Sequence, residues 1–151
     1  MSSQTFALQL SQFVEKAKAA PAQVVRKATI DLLSAIVLRT PVGNPDLWAG
    51  PAPKGYVGGR LRANWNVSLV APDASTTEAV DKSGAPTIEN GITVIGRADG
   101  EQDIWITNNL PYALAVEYGH SAVQAPAGMV RVSIADFQDF LDKAAAEVSR
   151  A

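Results

Sequence analysis

The chain has 151 residues, 47% hydrophobic and 19% charged, which fits one domain with a sizeable core. It has no cysteine, which excludes disulfides and thiolate metal sites, and no apolar run reaches the roughly 18 residues of a membrane span. The net charge of −2 is uneven: residues 1–70 carry eight Lys/Arg and three acids, residues 71–151 five and twelve. Two readings of that split stand side by side. One is ordinary solvated faces; the other is a subunit with a basic and an acidic surface, suited to head-to-tail association. No basic run is dense enough for specific nucleic-acid binding.

The opening "MSSQTFALQLSQFVEK" lacks the basic and apolar regions of a signal peptide. Phe6, Leu10, Phe13, Val14 and Ala17 form one stripe of an amphipathic helix, with Ser2 or Ser3 as its cap. Pro21 suits the first turn of a second helix. Its expected buried face is Val25, Ala28, Thr29, Leu32, Leu33 and Ile36, with Ile30 and Val37 off that face, to meet another element or another subunit. Pro41 ends it, because the residue before a proline is pushed out of the α region.

Residues 41–60, "PVGNPDLWAGPAPKGYVGGR", hold four prolines and five glycines, too much punctuation for a helix or central strand. The segment still carries Leu47, Trp48, Tyr56 and Val57, so it is not a plain flexible linker. The aromatics either fold back on their own domain or anchor a contact arm to a neighbour. "RLRANWNVSLV" alternates as a half-buried strand: Ala63, Trp65, Val67 and Leu69 inward, Arg62, Asn64, Asn66 and Ser68 outward. Residues 71–90 are polar and small, as in a surface loop. "GITVIG" and "DIWIT" are expected to form an antiparallel hairpin around Asp99-Gly100.

Pro111 then begins a short helix with Tyr112, Ala115 and Val116 on one face and Gly119 as the glycine that ends it. Residues 120–128 form a loop, and "MVRVS" a short strand. Ser133 and Asp136 make a capping box for a last helix with the stripe Phe137, Phe140, Leu141, Ala144 and Val148. The expected class is α+β: a small, mainly antiparallel sheet flanked by two N-terminal helices, a short middle helix and a C-terminal helix.

Chemistry finds little purchase. There is no GxxxxGK[ST] and no GxGxxG between a strand and a helix. "GYVGGR" leads into a strand, not into the helix N-terminus that a phosphate cradle needs. His120, the only histidine, has Glu117 and Ser121 nearby, which gives at most two metal ligands and no selected orienting acid. The alternative for His120 is a ring that satisfies loop backbone groups or sits near a subunit contact. Arg60 and Arg62 are placed to clamp an anion or a neighbour's carboxylate, or to lie exposed.

"TPVGNPDLW…PAPKGYVGGRLRANWNVS" and "ITNNLPYALAVEYGHSAVQAPAGMVRVSI" resemble the tail-completion or neck proteins of long-tailed bacteriophages, the minor tail protein Z-like tail components. The matching positions are Thr40, Pro41, Val42, Gly59–Leu61, Arg62, Asn64, Trp65, Asn108, Asn109, Tyr112, Ala113, Glu117–Ser121, Ala125, Pro126 and Gly128–Val130. The similarity runs from Thr40 to the C-terminal helix, and the insert Gly43 to Gly58 looks like a longer-loop branch.

The resemblance implies a non-enzymatic virion protein without cofactor or metal, assembled in the host cytoplasm. It implies a ring of copies at the head–tail junction, commonly a hexamer, that joins connector, tail-terminator and tail-tube proteins. DNA would pass through its channel without specific binding; by charge alone, acidic residues toward such a lumen would reduce phosphate attraction, and the acidic second half is the candidate to provide them. No membrane is involved. Trp48, Tyr56, Val57, Arg60, Arg62, Tyr118 and His120 are the candidate subunit or partner contacts. A tail-terminator ring capping the tail tube is the alternative, and a hydrolase using His120 with Glu117 and Ser121 a further one.

Overall fold

The computed structural model describes residues 3–47, 49–119, 121 and 124–150; the side chains of 3–19 and 47 are not described. It is α+β, with helices flanking a two-stranded antiparallel sheet. The N-terminal segment is one helix, α1 (Ser3–Arg39), rather than two, and it runs through Pro21. Proline's fixed φ is compatible with a helix; it removes one hydrogen bond and crowds one carbonyl. The alanine-rich flanks of Pro21 hold the helix on both sides. The stripe from Phe6 to Ala17 and the cap at Ser2 or Ser3 lie outside what is described.

From Ala22 on, α1 buries Ala28, Thr29, Leu33, Ile36 and Val37, while Val25 is exposed. Val37 and Ile30, off that face, meet other elements of the same chain: Val37 is in the core and Ile30 packs against it half-buried. The reason is that α1 is clasped from two directions, by α3 (Ala85–Ile95) and α6 (Phe137–Arg150), so its buried arc is wide.

The helix ends at Pro41 as expected, and its last carbonyls are satisfied from a distance. Arg62 donates to Leu38 O and Thr40 O at 3.1 and 3.0 Å, and also to Lys82 O. Thr40 donates its hydroxyl to Ile36 O and accepts Trp65 Nε1 at 2.8 Å. After a 3-10 turn at Pro45–Leu47, the loop to Gly59 is irregular, with Tyr56 lying on Gly43.

The expected strand from Arg60 begins instead with a helical turn, α2 (Arg60–Ala63), and β1 is Trp65–Leu69. Buried Leu61 and Trp65 are four apart, a spacing that fits a helical turn as well as alternation. β1 pairs antiparallel with β2 (Ile104–Asn108), from Trp65 opposite Asn108 to Leu69 opposite Ile104. Of segment 91–96, expected as the partner strand, 91–95 are the second half of α3 and Gly96 its C-cap, and the loop expected over 71–90 ends where α3 begins at Ala85. Thr87, Gly91 and Ile95 are buried at a spacing of four, and Gly91 lets α3 approach so closely that a methyl there would overlap Leu33. Asp81 caps this helix: its carboxylate accepts Gly84 N at 2.7 Å, Thr87 N at 3.0 Å and the Thr87 hydroxyl at 2.7 Å.

The polar face of the sheet is covered by the loop after β1. Asn66 donates to Ser75 O, Thr107 to Asp73 O, Asn109 to both carbonyls, and Asn64 exchanges bonds with the Thr77 backbone. Asn64, expected to face solvent, is fully buried. The loop leaves β1 through a γ-turn: Ala71 N donates to Leu69 O at 2.8 Å across Val70, whose φ is +73°.

Beyond β2, α4 is Ala113–Glu117, closed by Gly119 in the left-handed region as expected. Of its expected buried face only Val116 is buried; Tyr112 and Ala115 are exposed, and Ala113 and Glu117 take their place. "MVRVS" is not a strand: Met129 is the N-cap of α5 (Val130–Ala135), and the other four residues lie within that helix. Ser133 is inside α5, where its hydroxyl donates to Met129 O, so it is not the cap of α6. The α6 stripe is as expected, with Ala144 and Val148 buried and Phe137, Phe140 and Leu141 half-buried.

Candidate functional site

One carboxylate ties the end of α4 to the start of α5 and makes a corner between them. Glu117 Oε2 accepts Met129 N at 2.7 Å and Val130 N at 2.8 Å; Oε1 accepts Arg131 N at 2.9 Å and Arg131 Nε at 3.2 Å. The first N–H groups of a helix lack intrahelical partners, and a side-chain anion there is favoured. Glu117 supplies that cap to α5 from across the loop. Arg131 closes the ring of bonds by donating to Glu117 O. Gly128 has φ +86°, and a methyl there would strike Glu117. Burial pushes the Glu117 carboxyl up, but the backbone donors of Arg131, Val130 and Met129 and the Arg131 side chain outweigh it and hold its pKa below the ordinary value. A carboxylate so held stays ionised with both oxygens occupied, which makes it a structural acceptor rather than a proton donor.

The outer surface of this corner is apolar and aromatic. Leu114 and Tyr118, four apart across α4, are 68% and 67% exposed. The Arg131 guanidinium lies 4.5 Å from the Tyr118 ring centroid, and Ile134, one turn further along α5, is 55% exposed. A second group lies where the 41–59 loop meets α4. Tyr56, Val57 and Tyr112 are all more than a third exposed. Burial raises the Tyr112 phenol pKa, with the charge of Arg60 acting against it and Tyr56 and Glu78 adding to it.

The expected contact residues therefore have different fates. Tyr56, Val57 and Tyr118 are on the surface. Arg60 pairs with Glu78 at 2.9 Å and donates to Thr77 O, binding α2 to the loop over the sheet. Arg62 is turned inward as the staple of α1. Trp48 and His120 lie outside the described residues. Ser121 is half-buried, and its carbonyl accepts Ala125 N. Leu114, Ile134 and Asp81 were not singled out in sequence, although Leu114 and Tyr118 have the spacing of one helix face.

Among the described residues no group of three His, Cys, Asp or Glu could hold a metal ion, and no helix is long and apolar enough to cross a membrane. Comparison with family models, curated proteins and solved structures gives no match.

Proposed function

We propose that this chain is a structural subunit of a phage head–tail junction, forming a ring that joins the head connector to the tail and leaves a channel for DNA. The observation that carries the reading is the run of motif positions from Thr40 to Val130 quoted above. The roles of those positions support it. Thr40, Arg62 and Trp65 tie the end of α1 to β1, and Asn64 and Asn109 hold the loop over the sheet. Glu117 and Gly128 fix the corner. What that frame presents outward is Leu114, Tyr118 and Ile134, with Tyr56, Val57 and Tyr112 beside the long loop. Large exposed side chains on a rigid frame are the composition of a contact surface, in which aromatic residues and arginine carry most of the binding energy.

Imaging phage particles with this chain labelled tests the reading. Density at the neck, together with unjoined heads and tails when the chain is removed, is the expected result. Label on the upper end of head-free tails would make it a tail-terminator ring instead. Particles that lack the chain and still join heads to tails would overturn the proposal.

A further inference from the structure

Asn90–Gly91 is the one Asn-Gly pair in the sequence. Such a pair can react with itself. The backbone nitrogen of the glycine attacks the side-chain carbonyl carbon of the asparagine. The new N–C bond closes a succinimide ring, the bond to the amide nitrogen breaks, and that nitrogen leaves as ammonia with the proton of the glycine N–H. Water then opens the ring at either carbonyl. One opening leaves aspartate; the other leaves isoaspartate, whose backbone runs through the former side chain and is one methylene longer. Glycine favours ring closure because it has no Cβ to hinder the approach.

The fold exposes the side chain of this pair and locks its backbone. Asn90 is exposed in the middle of α3, and with Gly91 it lines an open cleft of about 210 Å³ that α3 forms with β1. Solvent therefore reaches the amide. Ring closure, however, needs Asn90 Cβ and Gly91 N nearly eclipsed about the Asn90 Cα–C bond, far from the helical ψ of about −42°. In the helical pattern the Gly91 N–H is also committed to the carbonyl of Thr87, four residues back, so its proton is not free to leave. Both residues are anchored. Gly91 is buried so close to Leu33 that a methyl there would overlap it, and Thr87 is bonded through its N–H and hydroxyl to Asp81. The glycine that makes the pair reactive is the one that the packing of α3 on α1 requires.

We infer that Asn90 is a site of spontaneous deamidation gated by α3: it is held back while the helix is closed, it reacts when the helix opens, and its isoaspartyl product keeps the helix from closing again. The last step follows from register. Thr87, Gly91 and Ile95 are buried at a spacing of four. An extra backbone methylene between Thr87 and Gly91 turns Gly91 and Ile95 off the line that Thr87 begins. Ile95, fully buried, then loses its place in the core. Each opening of α3 thus exposes the chain to a one-way loss of its fold. The inference is independent of the ring reading.

Peptide mapping by mass spectrometry on the full chain at mildly alkaline pH tests it, with enzymatic isoaspartyl methylation to read the product. Asn90 should convert at least on the order of a hundredfold more slowly in the native chain than in the chain unfolded in urea. Urea below the unfolding transition should raise the native rate in step with hydrogen exchange of the Gly91 amide, which reads the same opening. On return from urea, isoaspartyl chains should lack the melting transition that unconverted chains regain. Asn90→Gln puts a better helix former at an exposed position, so it should keep that transition. It should also block the conversion, because the longer side chain closes a larger ring far more slowly. If this variant misfolds, the urea and exchange measurements on the unchanged chain decide. Equal rates in native and unfolded chains, or a native rate that stays flat while Gly91 exchange climbs, would overturn the gate. Isoaspartyl chains that regain the parent's melting transition would overturn the trap.

Discussion

Glu117 concentrates more hydrogen bonds on one buried carboxylate than any local pattern around it suggests. Replacing it by glutamine keeps the shape but leaves one carbonyl oxygen where two charged oxygens met four donors. Bonds to a charged group contribute about 1.5–3 kcal/mol each, and an orphaned donor costs more than a bond never made. Glu117→Gln should lower the unfolding free energy by about 2–3 kcal/mol, measured by urea denaturation. The sign of the pH effect follows from both capping acids. Burial raises the pKa of Asp81, but Thr87, Gly84 and Ser83 outweigh it, so Asp81 and Glu117 both end below their ordinary values. Their stabilisation is complete above the unfolded carboxyl range of about 4 and is lost as pH falls through the depressed folded values. Melting temperature should fall between about pH 5 and pH 3, and the fall should be shallower in Glu117→Gln. Val70 is the opposite case. It is β-branched, 69% exposed and held at φ +73°, a conformation that costs about 1–3 kcal/mol outside glycine. Val70→Gly should therefore raise stability by about 1 kcal/mol in the same titration, despite glycine's greater freedom when unfolded.

Elements were legible where their period was long and their caps local. The stripe of α6 and the stop of α1 at Pro41 could be read from spacing alone. α3 and α5 could not, because six apolar-rich residues fit a strand as well as two helical turns. What settles each is a carboxylate outside the run. For α3 it is Asp81, a few residues upstream and visible in hindsight. For α5 it is Glu117, across a whole loop and invisible to any local pattern. The same limit applies to the candidate site. Tyr118 and Val57 were legible as surface residues, whereas the inward turn of Arg62 depends on where α1 ends in space. Gly91→Ala tests the packing of α3 on α1. The added methyl meets Leu33, and overpacking of this kind costs about 1–3 kcal/mol, to be read as a lower melting temperature. Pro21→Ala should act the other way. It restores one helical hydrogen bond at an exposed position and should stabilise the chain by about 1–3 kcal/mol, with a gain in helical circular dichroism.

Across the whole molecule, the charge split in sequence is partly cancelled in space. Lys27–Glu147, Arg39–Asp136 and Arg60–Glu78 each join a cation of the first half to an acid of the second. All three are substantially exposed, and such pairs contribute about 0–1 kcal/mol each. Raising NaCl to about 1 M should therefore shift the unfolding free energy by less than about 2 kcal/mol. The packing that two of these pairs flank has a consequence in time. α6 lies along one flank of α1, so that flank is covered only by nearly the last residues made, long after α3 covers the other. At a translation rate of roughly 5–20 residues per second, α1 waits on the order of ten seconds for that cover. Through that interval the nascent polypeptide carries an apolar flank with no mate, and chaperone engagement early in synthesis, released once α6 emerges, is what such a layout demands of the cell that makes it.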